Sequence, residues 1–295
     1  MRTVIPIFFS IDKNVEMPCG VSITSLMENA SPETFYSIYI LHAPEEDYSQ
    51  SLLNKLPLIY PQCSLSFISV GDAFKGAFEI REITRPAYFR LIAPALLEEY
   101  DKLIYYDVDM IFRRDLSPLW ETGLGDNYLG AIDLADVLPK KDKDYVINNL
   151  GIEPEKGYFN SGALLINCAQ IRKDSLMDSF LTMAKKDYLF QDQDILNLAC
   201  KGKILSLPND YNLTNYAYEK RVLSGVEVGN SIIHYNGPKP WKDMCLNMDL
   251  WWYYYRKSIF FDERFTYNYG MARPSYLSTM PLKQRLKLLV NYFRQ

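Results

Sequence analysis

The chain lacks both common nucleotide fingerprints. There is no G-x-x-x-x-G-K-[ST] phosphate loop and no G-x-G-x-x-G after the first apolar segment. Any nucleotide it binds must therefore be held by side chains and a metal rather than by a glycine-rich loop. Histidine is scarce: His42 and His234 are the only two, so imidazole chemistry is confined to those positions. The five cysteines (Cys19, Cys63, Cys168, Cys200, Cys245) are odd in number and form no C-x-x-C pair. That excludes a thioredoxin-type couple and points to reduced, mostly buried thiols in a cytosolic protein. No apolar run is long enough to span a bilayer. The N-terminus enters Thr3-Val4-Ile5-Pro6-Ile7-Phe8-Phe9 without a cleavage site, so a cytoplasmic location is expected. The N-x-S/T triplets at Asn29 and Asn212 have no consequence in that compartment. A net charge of −4 argues against a nucleic-acid footprint spread over the surface. Internal repeats and low-complexity tracts are also missing.

What is present is an alternation of strands and helices along 295 residues, enough for one large α/β domain or two smaller ones. Strands are expected at Val4–Ser10, Tyr36–Leu41, Leu65–Val70, Leu103–Tyr106, Tyr128–Ile132, Ala163–Asn167, Ile204–Leu207 and Ser231–Tyr235. Between them, helices are expected at Val21–Glu28, from Pro44 through Leu56, at Ala87–Leu97 with a break at Pro94, at Cys168–Tyr188 and at Gln193–Cys200. Alternating elements imply a mostly parallel sheet covered by helices on both faces. After Trp241 the composition shifts to an aromatic-dense stretch, Leu250–Phe261, and a basic tail. Residues 1–241 are read as the main domain and 242–295 as a helical extension.

The most informative stretch is Leu103-Ile104-Tyr105-Tyr106-Asp107-Val108-Asp109. An apolar strand delivers two carboxylates, i and i+2, to its C-terminal end, on one side of an extended backbone. Ligands of open α/β sheets bind beyond the carboxyl ends of the strands. Paired carboxylates there suit a hard divalent cation carrying phosphates. Alone, the triplet occurs by chance, and most such pairs are simply solvated.

Other clusters give it weight. His234 closes the apolar segment Ser231-Ile232-Ile233-His234-Tyr235 and is followed by Asn236-Gly237-Pro238-Lys239-Pro240-Trp241. It is either a half-buried strand-end histidine or a third metal ligand. In the second case mixed nitrogen and oxygen ligation suits Mn²⁺, with Mg²⁺ tolerated. Lys239, in a Gly/Pro-shaped loop, is placed to meet a diphosphate. Tyr158-Phe159-Asn160-Ser161-Gly162 and Gln191-Asp192-Gln193-Asp194 each precede an apolar run. A turn explains the first and a helix cap the second. Asn, Asp and Gln are equally the natural partners of a polyhydroxylated ligand.

With Ser10-Ile11-Asp12-Lys13-Asn14 and Ala87-Tyr88-Phe89-Arg90-Leu91 added, the ordered set from Ile5 to Trp241 resembles bacterial glycosyltransferase family 8, in particular its lipooligosaccharide and lipopolysaccharide α-galactosyl- and glucosyltransferases. The resemblance implies a GT-A fold, Rossmann-like, that binds a UDP-sugar with Mn²⁺. It implies Asp107, Asp109 and His234 as metal ligands. Asp12 and Asn14 fall at uracil and ribose positions, Gly237 and Lys239 at the diphosphate, and Asp107-Val108 beside the nucleotide. Arg90, Asp107, Asn160, Asp192 and Gln193 fall around the donor sugar, with Asp192 and Gln193 as the catalytic candidates and Gln193 beneath the anomeric carbon. Retention of anomeric configuration is implied, with UDP-galactose or UDP-glucose as donor and a glycan, often lipid-linked, as acceptor.

In the tail, Leu282, Leu286, Leu289 and Phe293 recur at near-helical spacing among Lys283, Arg285, Lys287 and Arg294. Such a stripe either packs on its own domain or lies on an anionic membrane surface. A dehalogenase-type phosphatase also uses Asp-x-Asp, but wants it after the first strand, where this chain has Asp12-Lys13-Asn14. A non-catalytic sugar-nucleotide or glycan-binding module would keep the pocket without needing every metal ligand.

Overall fold

Seven strands form the central sheet: β1 (Thr3–Ser10), β2 (Thr34–His42), β3 (Cys63–Ser69), β4 (Lys102–Tyr106), β6 (Leu129–Asp133), β7 (Phe159–Asn167) and β8 (Ile204–Ser206). The computed structural model describes residues 2–79, 84–283, 285, 286, 289 and 290. The spatial order is β3-β2-β1-β4-β7-β6-β8. Every pairing is parallel except the two made by β7, which runs antiparallel to β4 and β6. The mostly parallel α/β sheet expected from the alternation is therefore present. β1 explains why its run is continuously apolar: Ile5, Ile7 and Phe9 enter one core and Phe8 the other, so helices cover both faces. Chain order reverses between β1 and β4, and a crevice opens beyond their carboxyl ends. Asp12 and Asn14 follow β1 and Asp107 follows β4, so residues distant in sequence meet there.

A second sheet of three short strands completes the site: β5 (Met110–Ile111), β9 (Leu213–Thr214) and β10 (Ile233–His234), in the order β5-β10-β9. β10 pairs antiparallel with β5, placing His234 opposite Met110 and next to the Asp-x-Asp turn. The expected strand Ser231–Tyr235 is thus shorter than anticipated and belongs to this small sheet. β5 and β9, two residues each, carry too little pattern to be read from sequence.

Several helices differ from expectation. Residues 85–97 form a 3₁₀ segment (Arg85–Leu91) and one α-turn (Ala93–Leu96), the break falling where Pro94 lacks the N–H that a continuous helix would need. The helix expected from Pro44 begins only at Leu52, as a 3₁₀ turn running into Leu56–Ile59. Cys168–Tyr188 divides into Cys168–Lys173 and Leu176–Met183 at Ser175, whose φ of 52° is left-handed. The helices Lys140–Leu150 and Asn215–Leu223 were not anticipated, being polar with little apolar stripe. All five cysteines are buried and unpaired.

The start of the C-terminal segment packs into the protein rather than hanging from it. Helix Met248–Lys257 buries Trp251, Trp252, Tyr254 and Tyr255 against Ile111, Leu213, Ile233, Tyr235 and Trp241. The small sheet that carries His234 thus rests on these aromatics. Further on, Leu282, Leu286 and Leu289 are 70%, 53% and 53% exposed, so the stripe does not fold back onto the domain there. Phe293, Lys287 and Arg294 lie outside the described residues. No described helix is long and apolar enough to cross a membrane.

Trp251 is fully buried and stacks on Tyr255 with ring centroids 5.2 Å apart. Trp251→Ala should lower unfolding free energy by about 3–5 kcal/mol, measured by urea denaturation. A loss of only about 0.5 kcal/mol, the size typical of surface substitutions, would contradict this packing role.

Candidate active site

β4 ends at Tyr106, and Asp107-Val108-Asp109 turns before β5. The two carboxylates are therefore brought together by a tight turn rather than by an extended strand, a correction to the sequence reading. The turn is pinned twice: Asp107 N donates to Gly162 O at 2.8 Å, and Tyr235 N donates to Asp109 O at 2.9 Å. Through these bonds β7 and the end of β10 grip the turn from two sides. Asp107, Asp109 and His234 each present a ligand atom, all within 4.8 Å of one another. His234 Nε2 lies 3.3 Å from Asp109 Oδ1 and 3.8 Å from Asp107 Oδ2.

The residues fit a divalent cation by two observations. Asp109 Oδ1 is buried and accepts no hydrogen bond, which is costly for a carboxylate oxygen unless a cation meets it. The cradle also has no spare room. A Cβ on Gly162 would stand 2.6 Å from both Asp107 Oδ2 and His234 Cε1, so only glycine leaves the ligands in place. The relevant β7 segment sits beside a register shift between Ala131 and Ile132, the kind of bulge that re-aims residues at sites.

Fixed cations surround the pair. Arg90 is buried and donates from Nη2 to Asp107 Oδ1 (2.8 Å) and from Nη1 to Ser161 O (2.6 Å); its Nε lies 3.3 Å from Asp192 Oδ2. Tyr105 OH donates to the same Asp107 oxygen, and its ring carries the Arg90 guanidinium 4.2 Å from its centroid. Lys239 Nζ donates to Asp109 Oδ2 at 2.5 Å and to Tyr235 O at 2.9 Å. Burial opposes ionisation of Asp109, but the Lys239 ammonium beside it outweighs burial and holds the carboxyl well below the usual range. Asp192 goes the other way. Burial pushes its carboxyl up to about 6, against the pull of Arg90 and with the help of Asp107.

Two cavities flank the turn. One, of about 680 Å³, is lined by Asp12, Asn14, Asp107, Val108, Gly237 and Lys239, the full set expected around a nucleotide. Asp12 is already committed within it: Oδ1 accepts from Asn14 N and Oδ2 from Thr84 Oγ1. The other, of about 390 Å³, is lined by Arg90, Asp107, Asn160, Asp192 and Gln193, the set expected around a donor sugar, and by Leu134, Val137 and Tyr216. Gln193 is held at both ends: Oε1 accepts from Asn160 Nδ2 (3.0 Å) and Ser161 N (3.3 Å), and Nε2 donates to Tyr158 OH (3.0 Å). A larger open groove near residues 222–230 lies apart from these groups.

The structure therefore brings together every predicted site residue. Sequence reasoning gave no site role to Tyr105, Tyr158 or Asn212, and offered Asp194 only as a helix-cap candidate. Asn212 stood out only as an N-x-T triplet, yet it is 1% exposed and bonded to His234 and Asn160. Asn29 is similarly engaged, with Nδ2 donating to Ser25 O, Phe112 O and Tyr254 OH. No periodicity marks such residues, because their partners come from other strands.

Gly162→Ala should leave the fold intact but weaken Mn²⁺ binding by at least about 10-fold in calorimetric titration, through displaced ligands; unchanged affinity would show that the cradle is not tight. Asp192 yields a pH prediction for protein stripped of divalent metal. Its folded-state pKa, about 6, lies above the ordinary value of 3.8, so protonation stabilises the fold. That stabilisation is complete below the ordinary value and is lost as pH rises through about 6. Asp192→Asn should accordingly exceed the parent by about 3 kcal/mol in urea unfolding at neutral pH, an advantage that vanishes in acid. A pH-independent difference would refute the burial argument.

Known proteins resemble this chain in sequence and fold. The family model for Glycosyl transferase family 8 matches residues 6–245. Lipopolysaccharide glucosyltransferase WaaO of Escherichia coli is 28% identical over 252 residues, covering 80% of this chain and 72% of the relative. Lipopolysaccharide 1,3-galactosyltransferase of Salmonella typhimurium is 26% identical, covering 80% and 72%. Among solved structures, the galactosyltransferase LgtC in complex with donor and acceptor sugar analogues superposes with a TM-score of 0.72 at 27% identity, covering 89% of this chain and 99% of that one. The α/β architecture is accordingly GT-A, and the chain belongs to glycosyltransferase family 8.

Proposed function

We propose that the chain is a retaining, Mn²⁺-dependent hexosyltransferase. It transfers galactose or glucose from a UDP-sugar to a hydroxyl of a glycan acceptor in cell-surface polysaccharide or lipopolysaccharide synthesis. The observation that carries this reading is the buried, unbonded Asp109 Oδ1 facing Asp107 and His234 between two cavities. The names of the lipopolysaccharide glucosyl- and galactosyltransferase relatives support a hexose donor and a glycan acceptor. In this reading residues 1–241 carry the chemistry, and 242–295 are an extension that begins by buttressing the small sheet.

Asp107, Asp109 and His234 hold the cation, with Mg²⁺ as a weaker substitute for Mn²⁺. When bound, it supplies Lewis-acid stabilisation of the charge that develops on the diphosphate. Lys239 adds a positive charge on the same side, and Gly237 lets the loop backbone approach closely. Asp12 and Asn14 hold the uridine and Val108 lines its pocket. Asp192, with an oxygen that accepts no hydrogen bond, takes one from a sugar hydroxyl, and Arg90 and Asn160 orient the sugar.

A double displacement would need a carboxylate nucleophile beneath the anomeric carbon. The residue expected there is Gln193, whose carbonyl oxygen already accepts from Asn160 and Ser161. Front-side attack is favoured instead. The acceptor oxygen bonds to the anomeric carbon on the leaving-group face while the bond to the UDP oxygen breaks. The departing β-phosphate oxygen takes the hydroxyl proton. A covalent sugar adduct on Asp192 or another side chain, found by mass spectrometry, would overturn this route.

UDP release with Mn²⁺ across UDP-glucose, UDP-galactose and UDP-N-acetyl sugars is expected from a single hexose donor, with at least a 100-fold loss in Asp109→Ala, on the scale at which one transition-state stabilising group is worth about 10²–10³. Mn²⁺-dependent UDP binding without turnover, with or without glycan acceptors, would replace the enzyme reading with a binding module. The exposed Leu282, Leu286 and Leu289 support a peripheral role at the cytoplasmic face of an anionic membrane, near lipid-linked acceptors. A chain ending before Pro281 should lose binding to vesicles containing anionic lipid and keep turnover. Retained vesicle binding would defeat the membrane role.

A further inference from the structure

Along the smaller cavity runs a mostly buried line of polar side chains that joins the sugar-facing residues Asn160 and Gln193 to His234 through Asp194, Tyr158 and Asn212, which have no assigned role at the site. It starts at Asp194, fully buried, whose carboxylate accepts from Tyr158 OH (2.5 Å), Tyr145 OH (2.8 Å) and Phe190 N (3.0 Å). Tyr158 OH accepts from Gln193 Nε2, and Gln193 Oε1 accepts from Asn160 Nδ2. Asn160 Oδ1 accepts from Asn212 Nδ2 at 2.6 Å, and Asn212 Oδ1 lies 2.8 Å from His234 Nδ1.

Amide orientation and histidine tautomer are ordinarily ambiguous. Here two backbone amides remove the ambiguity. Gly162 N donates to Asn160 Oδ1 at 3.0 Å, so that atom is an oxygen. Ser161 N donates to Gln193 Oε1, so that atom is an oxygen as well. The Asn212 atom facing Asn160 Oδ1 must then be its nitrogen, which turns the Asn212 oxygen toward His234. An oxygen there requires a proton on Nδ1. In the neutral ring Nε2 is left with its lone pair, aimed at Asp107 and Asp109.

We infer that Asp194, Tyr158, Gln193, Asn160 and Asn212 form a one-directional hydrogen-bond relay that locks His234 as the Nδ1–H tautomer and so presets Nε2 for a divalent cation. Each donor in the line points toward the Asp194 charge, and such a chain polarises cooperatively. A metal-bound histidine whose other nitrogen donates is also a stronger ligand. Asn212 and Asp194 are positioning residues, because they act on the metal and sugar groups only through others. The relay also ties the two halves of the site. The amides of Asn160 and Gln193 that face the sugar cavity take their orientation from the chain that orients the metal ligand.

This inference rests on the metal-site reading of His234, and the test separates the two. The full chain is labelled with ¹⁵N-histidine, stripped of metal and measured by NMR at mildly alkaline pH. With two histidines in the chain, His42→Gln assigns both. His234 should show a protonated-type shift at Nδ1 and an unprotonated-type shift at Nε2. In Asn212→Ala that preference should be lost, and calorimetric Mn²⁺ affinity should fall by about 10- to 100-fold. A parent His234 protonated at Nε2, or a tautomer unchanged in Asn212→Ala, overturns the relay. If Asn212→Ala does not fold, the parent spectrum alone decides. If the parent binds no Mn²⁺ but keeps the Nδ1–H tautomer, the metal reading fails and the relay stands.

Discussion

Two carboxylates whose oxygens lie within 4.8 Å of each other in a partly buried turn are the constraint to which the rest of this molecule answers. At that separation like charges repel by roughly 3 kcal/mol in the effective dielectric of a protein. The cost is met from several directions. Arg90 reaches Asp107 from the 3₁₀ segment before β4, Lys239 reaches Asp109 from the loop after β10, and His234 stands across from both. Without these partners one carboxyl would take a proton and the pair would be lost as a cation site.

The fold serves that constraint at each level. The strand reversal between β1 and β4 opens the crevice, the irregular edge of β7 supplies glycine where any side chain would collide, and the small sheet brings His234 to the turn. The small sheet, with only two residues per strand, cannot hold itself. It is held by the aromatic cluster around Trp251, which makes the helix Met248–Lys257 part of the site's foundation although it supplies none of the candidate ligands. The opposed behaviour of Asp109 and Asp192 follows from the same layout. Asp109 lies against the Lys239 ammonium and stays ionised, whereas Asp192 shares a single arginine with Asp107 and burial pushes its carboxyl up to about 6.

Much of this was legible in the sequence because the chemistry is concentrated in short, ordered motifs. Asp107, Asp109, His234 and Lys239 stood out as one candidate set, which the fold gathers at the turn, and the apolar strands β1, β2 and β4 read clearly from their runs. The boundaries of the helices were less legible where Pro94 and the left-handed Ser175 divide a continuous apolar pattern. Least visible were Asn212 and Asp194. Both matter through partners brought from other elements, and a buried asparagine in a two-residue strand region leaves no periodic trace. The turn at Asp107 was misjudged as extended for a similar reason: its shape is set by hydrogen bonds to Gly162 and Tyr235, far away in sequence.

The central claim is that the carboxylate oxygens of Asp107 and Asp109 and the Nε2 of His234 form one cation site between two substrate cavities. The most direct measurement is anomalous diffraction from crystals grown with Mn²⁺ and UDP. The account predicts a single strong peak among those three side chains, with diphosphate density toward Lys239 and uridine density toward Asp12 and Asn14. A peak elsewhere, or UDP bound with no metal between the carboxylates, would contradict it.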